Sequence, residues 1–340
     1  MKKTKQHIFL LLVVLLTAGL SSCIKEDYAG ASDETATVNL VFDTRADNDG
    51  DGLDDDALPG EGIKTLRVII VDTDNNRVDV NELRDFSDET PQPVLQKTLT
   101  IMGLPVGNKD FYVIANEASV GLSGLDTPRP GYSFDEVKKS ALLSTLINDG
   151  QRTYFPSTDT GIEAGGLPIA GTVSAEITGA EDQTIEIPIT RAVAKMELTL
   201  TNATGGDFEL NQVVLGSFFA NRTYLFPQET ALTLPGEVTY SDHTFTTNVT
   251  LADEEMRTFY FYFYESNAGG RAYTIALNAD ADYTAAPIML NEDTPLASVA
   301  RNTCLRVTGT IESKDVEVSP IFRVVVVNWD TVENPEISFD

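Results

Sequence analysis

Apolar and polar residues alternate in short runs along this chain, with Gly, Asn, Asp and Pro between the runs, and the pattern predicts strands almost throughout. The runs are Thr37 to Asp43, Thr65 to Val71, Phe111 to Ala115, Thr184 to Ile189, Ala192 to Leu200, Arg257 to Tyr264, Ala272 to Leu277, Leu305 to Ile311 and Ile321 to Val327. Repeated short strands with turn signals between them predict an all-β protein of antiparallel sandwiches rather than a βαβ sheet. Helical spacing is confined to a few segments, best at Phe134 to Leu146, with Ser133 as its cap. The glycine pair in Asn202-Ala203-Thr204-Gly205-Gly206 follows a long strand and sets the expected boundary. It gives an amino-terminal sandwich over 46–203 and a carboxy-terminal one over 204–340. Phenylalanine and tyrosine alternate from Phe259 to Tyr264, so one face of that strand is expected in the core and the other half exposed.

The first residues follow a different pattern. Lys2, Lys3 and Lys5 precede an unbroken apolar stretch from Ile8 to Leu16, too short to span a bilayer, and Leu20-Ser21-Ser22-Cys23 follows. This reads as a lipoprotein signal peptide over 1–22, cut before Cys23, whose sulfur and new amino group carry acyl chains. More than one chain gives a stable membrane anchor.

After a polar tether, Val38, Leu40 and Phe42 alternate on one side of a strand at the very start of the fold. Thr44-Arg45-Ala46 comes next, then an Asp- and Gly-rich run too acidic to pack, so Arg45 opens an exposed loop. Two readings of Arg45 stand. It is a solvated loop arginine, or it is a processing site at which an arginine-specific protease cuts between Arg45 and Ala46, since a protease needs flexible backbone. Asp47, Asp49, Asp51 and Asp55 take calcium-loop spacing with Gly52 at the sharp turn, but Leu58 stands where the closing glutamate belongs. Calcium is therefore the single candidate cofactor, against the plain reading of a solvated acidic connector.

Charge and rare residues narrow the chemistry. With 24 basic and 52 acidic side chains the net charge is −28, which excludes phosphate-rich partners: no nucleic acid, and no basic patch for anionic lipid. His7 lies in the signal and leaves His243 as the one histidine base, so a hydrolytic triad or a histidine zinc site is not expected. With Cys23 acylated, Cys304 has no disulfide partner and reads as a buried small hydrophobe. No local spacing singles out a catalytic carboxylate pair, so no enzyme is expected.

The order of several motifs resembles the fimbrillins, the FimA-type subunits of the type V pili of Bacteroidales. The motifs are the cysteine at 23, the strand ending at Arg45, the acidic loop before Ile63-Lys64-Thr65-Leu66-Arg67-Val68, and Phe111-Tyr112-Val113-Ile114-Ala115-Asn116. They continue with Leu167-Pro168-Ile169-Ala170-Gly171, Arg191-Ala192-Val193-Ala194-Lys195-Met196, Arg301-Asn302-Thr303 and Val327-Asn328-Trp329. Lys25-Glu26-Asp27 also resembles the surface-export signal of such lipoproteins.

The resemblance implies two transthyretin-like β-sandwich domains and an outer-membrane lipoprotein precursor matured by cleavage after an arginine, here Arg45. Cleavage would remove the 23–45 propeptide with its lipid and first strand. A carboxy-terminal strand of another copy would then fill the vacated groove in a cell-surface fimbria that supports adhesion. Its partners would be copies of itself, other pilus subunits and the protease. The donor candidates are Ile321 to Trp329 and Glu336 to Asp340, in which Ile337 and Phe339 alternate correctly for a groove. Ile321 to Val327 reads equally as a fixed core strand. The long acidic loop and short tail also fit a non-polymerising tip or accessory adhesin. The aromatic run around Tyr260, Tyr262 and Tyr264 leaves a surface-anchored glycan-binding lipoprotein as a further alternative.

Overall fold

The computed structural model describes residues 34–44, 57–58, 60–89, 93–122, 124–148, 165–180, 183–279, 283–315 and 320–329, all within the unit Glu34–Asp340. The first strands in chain order are β1 (Thr35–Asp43), β2 (Thr65–Asp72), β3 (Arg77–Asp85), β4 (Gln96–Pro105), β5 (Gly107–Ala115), β6 (Leu146–Asn148), β7 (Ile169–Ile177), β8 (Gln183–Pro188) and β9 (Thr190–Arg191). Then follow β10 (Val193–Asn202), β11 (Phe208–Ala220), β12 (Arg222–Tyr224), β13 (Tyr240–Leu251), β14 (Met256–Tyr264), β15 (Thr274–Asn278), β16 (Ala286–Met289), β17 (Thr303–Ile311) and β18 (Phe322–Asn328). The expected all-β class holds, and every run read from the pattern falls on a strand.

The first sandwich faces a three-stranded sheet, in the order β4, β1, β8, against a five-stranded one, in the order β3, β2, β5, β7, β9. Between them lie Val38, Leu40 and Phe42 of β1, Ile185 and Ile187 of β8, Leu66, Val68 and Ile70 of β2, and Phe111 and Val113 of β5. The far face of the five-stranded sheet is covered as well, by Phe134, Leu142, Tyr262, Tyr264 and Trp329 packed on Ile69, Tyr112 and Ile114. Burial on both faces is why β2 and β5 read as continuous apolar runs and not as alternation.

The second sandwich is one sheet of eight strands, β13, β11, β15, β16, β18, β17, β10 and β14, with its core filled from both of its ends, by Leu210 and Val213 of β11 and by Leu198 and Phe261 of β10 and β14. Pairing is antiparallel except at β1 with β8, β10 with β17 and β16 with β18.

Three local expectations are corrected. Val193–Asn202 pairs with β14 and β17, so the chain passes between the sandwiches at Ala192, a full strand before Asn202–Gly206. The Gly pair only turns β10 into β11. The helix runs Glu136–Leu143 and is capped by Asp135, whose carboxylate accepts from the Lys138 amide at 3.1 Å, while Leu146 begins β6. Asp135 caps better than Ser133 because it stands immediately before the first turn. Finally, Tyr262 and Tyr264 are as buried as Phe259, Phe261 and Phe263: β14 has one face in the second core and the other against the first sandwich.

Candidate functional site

The feature that stands apart is the seat of β1. It is the central strand of its sheet, antiparallel to β4 with Leu40 opposite Leu99, and parallel to β8 with Leu40 opposite Ile185. Val38, Leu40 and Phe42 are wholly buried, each worth about 1.5–3 kcal/mol of transfer free energy. The strand thus supplies several kcal/mol of a domain stability that is typically about 5–15 kcal/mol. Removing it leaves a slot with an apolar floor and two open edges, β4 and β8, each able to template a new strand. Gly171 lets β7 close over the end of β8, since a Cβ there would run into the Pro188 carbonyl.

The end of β1 is fastened more tightly than its middle. The Asp43 carbonyl accepts from the Ile189 amide at 3.1 Å, and its carboxylate accepts from Gln96 Nε2 at 3.2 Å. Thr44 is fully buried, donating from its amide and its hydroxyl to the Leu95 carbonyl, each at 3.2 Å. Arg191, also fully buried, donates through Nη1 to the Thr44 carbonyl at 3.4 Å and through Nη2 to the Thr44 hydroxyl at 3.3 Å.

Arg191 belongs to a polar cluster where the two sandwiches meet. Its Nε donates to the Glu61 carbonyl at 3.3 Å, Nη1 also reaches Asn302 Oδ1 at 3.3 Å, and its guanidinium carbon lies 4.5 Å from the centre of the Trp329 ring. Trp329 stacks on Tyr262 at 5.8 Å, and its Nε1–H finds no acceptor among the described residues. The buried Glu61 carboxylate accepts from the Tyr262 hydroxyl at 2.5 Å, pairs with Lys195 at 3.0 Å and takes the Leu58 amide at 3.1 Å.

These contacts set the titration of the cluster. Burial opposes the charge on Lys195, but Glu61 and Glu197 outweigh it and hold its pKa above the ordinary value. Burial, reinforced by Glu61, raises the Tyr262 pKa well above the ordinary tyrosine value. Both groups keep their protons in the folded state while the unfolded chain releases them, so their stabilisation is complete below about pH 10 and is lost above it. Denaturation midpoints measured between about pH 8 and pH 11 are expected to fall above about pH 10, and Tyr262→Phe is expected to make that fall shallower. An unchanged slope in the variant would remove Tyr262 from the cause.

Sequence reasoning missed Glu61, Lys195 and Arg191 as a unit. The available signal was two cations embedded in the apolar run Arg191-Ala192-Val193-Ala194-Lys195-Met196, a placement that demands buried acceptors. Of the expected site residues, Val38, Leu40 and Phe42 are brought together in the slot. Cys23, Arg45, Ala46, Asp47, Asp49, Asp51, Asp55, Ile337 and Phe339 lie outside the described residues. Among the described residues no group of three or more His, Cys, Asp or Glu side chains is placed to hold a metal, and no helix is long and apolar enough to cross a membrane. His243 packs its ring at an angle against Phe219 and edge-on against Phe245, and burial, helped by Glu197, pushes the Cys304 thiol up to about 12, which makes it a poor nucleophile.

Two packed sandwiches, with the first strand buried at the centre of its sheet, define the class as an all-β sandwich protein. No family model matches the chain. The major fimbrium subunit FimC of Porphyromonas gingivalis is 25% identical over 345 residues, spanning 97% of this chain and 71% of that protein. Among solved structures, the tip fimbrial protein Mfa3 of Porphyromonas gingivalis superposes with a TM-score of 0.54 at 12% identity, covering 86% of this chain and 100% of the other. A cell adhesion protein from Parabacteroides distasonis, described as putative, gives 0.53 at 14% over 89% and 99%. The fimbrilin FimA of Porphyromonas gingivalis gives 0.51 at 12% over 87% and 98%. The chain is homologous to FimC, and its fold is that of these Bacteroidales fimbrial proteins.

Proposed function

We propose that this protein is a structural subunit of a cell-surface fimbria, exported as a lipoprotein acylated at Cys23, cut between Arg45 and Ala46, and polymerised by replacing β1 with a strand from another copy. The observation that carries the reading is the seat of β1. Its three core residues are wholly buried, yet the strand is joined to the rest of the fold only through the segment that begins at Thr44-Arg45. One cut there turns a covalent part of the sandwich into a dissociable one.

The donor choice follows from packing. β18 is paired with β17 from Phe322 to Asn328 and buries Phe322 and Val324, with Trp329 directly after it, so its departure would open the second core. The tail is the better donor, and its Ile337-Ser338-Phe339-Asp340 repeats Leu40-Val41-Phe42-Asp43 in type at the two core positions and at the aspartate that accepts from Gln96. In that register the tail enters antiparallel to β4 and parallel to β8. The FimC homology supports a fimbrial role, and the relatives are named as fimbrial or adhesion proteins, not enzymes. Tyr262 and Tyr264 face the junction between the sandwiches and Tyr260 alone of the three is half-buried, which favours the fimbrial reading over the glycan-binding one.

The deciding experiment treats the exported chain briefly with an arginine-specific protease and follows intact mass and native electrophoresis. A new terminus at Ala46 with a ladder of oligomers is expected, and Phe339→Asp is expected to abolish the ladder without preventing cleavage. A cut chain that stays monomeric would move the assignment to a non-polymerising accessory adhesin.

A further inference from the structure

A lysine without exposed surface lies between two carboxylates at one end of the first sandwich. By alternation along β5, Lys109 shares the inner face with Phe111 and Val113, and Asp72, directly opposite on β2, shares that face with Val68 and Ile70. The Lys109 side chain is wholly buried, and its Nζ donates to Asp72 Oδ2 at 2.5 Å. The second carboxylate comes from β3, where the register slips. Ile70 faces Val80 and Val71 faces Val78, so Asp79 is the extra residue of a bulge. Its Oδ2 lies 2.8 Å from the same nitrogen. Side-chain exposure is 12% at Asp72 and 15% at Asp79, so water is nearly excluded from all three groups.

The two carboxyls are not equivalent. Asp72 also accepts from the amides of Asp74 and Asn75, each at 3.0 Å. Burial opposes its charge, but Lys109 and these amides outweigh burial and hold its pKa below the ordinary value. At Asp79 burial dominates and, with the Asp72 charge beside it, raises the pKa despite Lys109. One carboxyl is thus kept as the anion and its neighbour is pushed toward the neutral acid, a division of roles that acid–base chemistry uses.

We propose that Lys109 and Asp79 are the site of an intramolecular amide bond, formed by the fold itself, with Asp72 as the base. Lys109 gives one proton to the Asp72 carboxylate, and the freed lone pair on Nζ forms a bond to Asp79 Cγ. The carbonyl electron pair moves onto oxygen and returns as the bond from Cγ to the Asp79 hydroxyl breaks. That hydroxyl takes a second proton from Nζ and leaves as water. The products are a neutral amide, one water and an Asp72 acid that returns its proton to solvent, so no oxidant, reductant or activated group is consumed. Holding the reacting groups in contact is equivalent to an effective concentration on the order of 10⁵–10⁸ M. The amide also replaces a buried ammonium, which is costly to keep out of water. The bond ties β3, an edge strand, across β2 to β5, so this sheet edge can neither peel nor exchange. The inference goes beyond the fimbrial reading and does not depend on it.

Tryptic digestion of the fully denatured exported chain, read by tandem mass spectrometry, tests this. A single species is expected in which Val78–Arg84 is joined to Thr98–Lys138, uncut at Lys109, with the summed mass of the two peptides less one water. Lys109→Arg keeps the buried charge but is expected to return the two peptides free. Recovery of free Val78–Arg84 and Thr98–Lys109 from the parent chain would overturn the proposal and leave an ordinary buried ion pair. A link to Asp72 in Val68–Arg77 would overturn it as well, since Asp72 would then be the acceptor and not the base. In pulse-labelled chains Asp72→Asn is expected to slow formation of the linked species at least about a hundredfold. Linking at the parental rate would remove Asp72 from the step. Should that variant fail to fold, the digest of the parent chain still decides whether the bond exists and which aspartate carries it.

Discussion

Phe42→Ala is expected to lower the unfolding free energy of the uncut protein by about 3–5 kcal/mol, measured by urea denaturation followed by circular dichroism. Phe42 is wholly buried between β4 and β8, opposite Lys97 and Ile187, and its ring meets the five-stranded sheet. Its neighbours belong to regular strands on both sides and cannot collapse into the space, so the full cost of aromatic truncation in a core is expected. The same substitution weakens the grip on β1, so after cleavage at Arg45 the variant should lose the propeptide faster than the parent. A loss below about 1 kcal/mol would mean that β1 contributes little to the sandwich, and the slot would no longer be a plausible joint.

Glu61→Ala is the second large effect, expected at about 3–5 kcal/mol, because it strands the Lys195 ammonium and removes the acceptor of the Tyr262 hydroxyl. Lys195 also meets Glu197 at 3.1 Å, on the exposed side of the strand, which keeps its charge but does not replace the buried partner. The informative control is the pair Glu61→Gln with Lys195→Met. Glutamine still accepts from Tyr262 while the cation is gone, so the double variant should regain most of what the alanine substitution loses, as judged by the same denaturation midpoint. If Glu61→Ala alone is nearly neutral, the junction is held by Trp329 and its apolar neighbours and the ion pair is incidental.

The parts of this fold that were legible in the sequence are those where burial writes a period into the chain. β1 alternates because one face is in the core and the other in water; β2 and β5 run apolar because both faces are covered. The strands that escaped notice are largely sheet edges. β3, β4 and β13 each end a sheet, and Arg77–Asp85 or Tyr240–Leu251 carries charges and threonines on its open side, where water imposes no pattern. The boundary was misplaced for a related reason: Gly205-Gly206 is a stronger local signal than Ala192, yet a tight turn between two strands of one sheet needs glycine more than a passage between sandwiches does. The slot residues were found because they are apolar and periodic. The cluster around Glu61 was not, since its members are scattered over β9, β10, β14, the loop before β2 and the residue after β18, and only folding brings them into contact.

The central position of β1 has a mechanical meaning. A strand at the edge of a sheet can be peeled away one hydrogen bond at a time, whereas a strand flanked by β4 on one side and β8 on the other, pulled along its own axis, is loaded in shear. Both ladders and the three seated side chains then resist together, and separation waits on a single cooperative rupture whose rate is set by the barrier to unfolding rather than by the equilibrium population of open states. If strands are exchanged as proposed, a thread built from such joints would yield to steady tension slowly and all at once, the behaviour wanted of an anchor line exposed to flow.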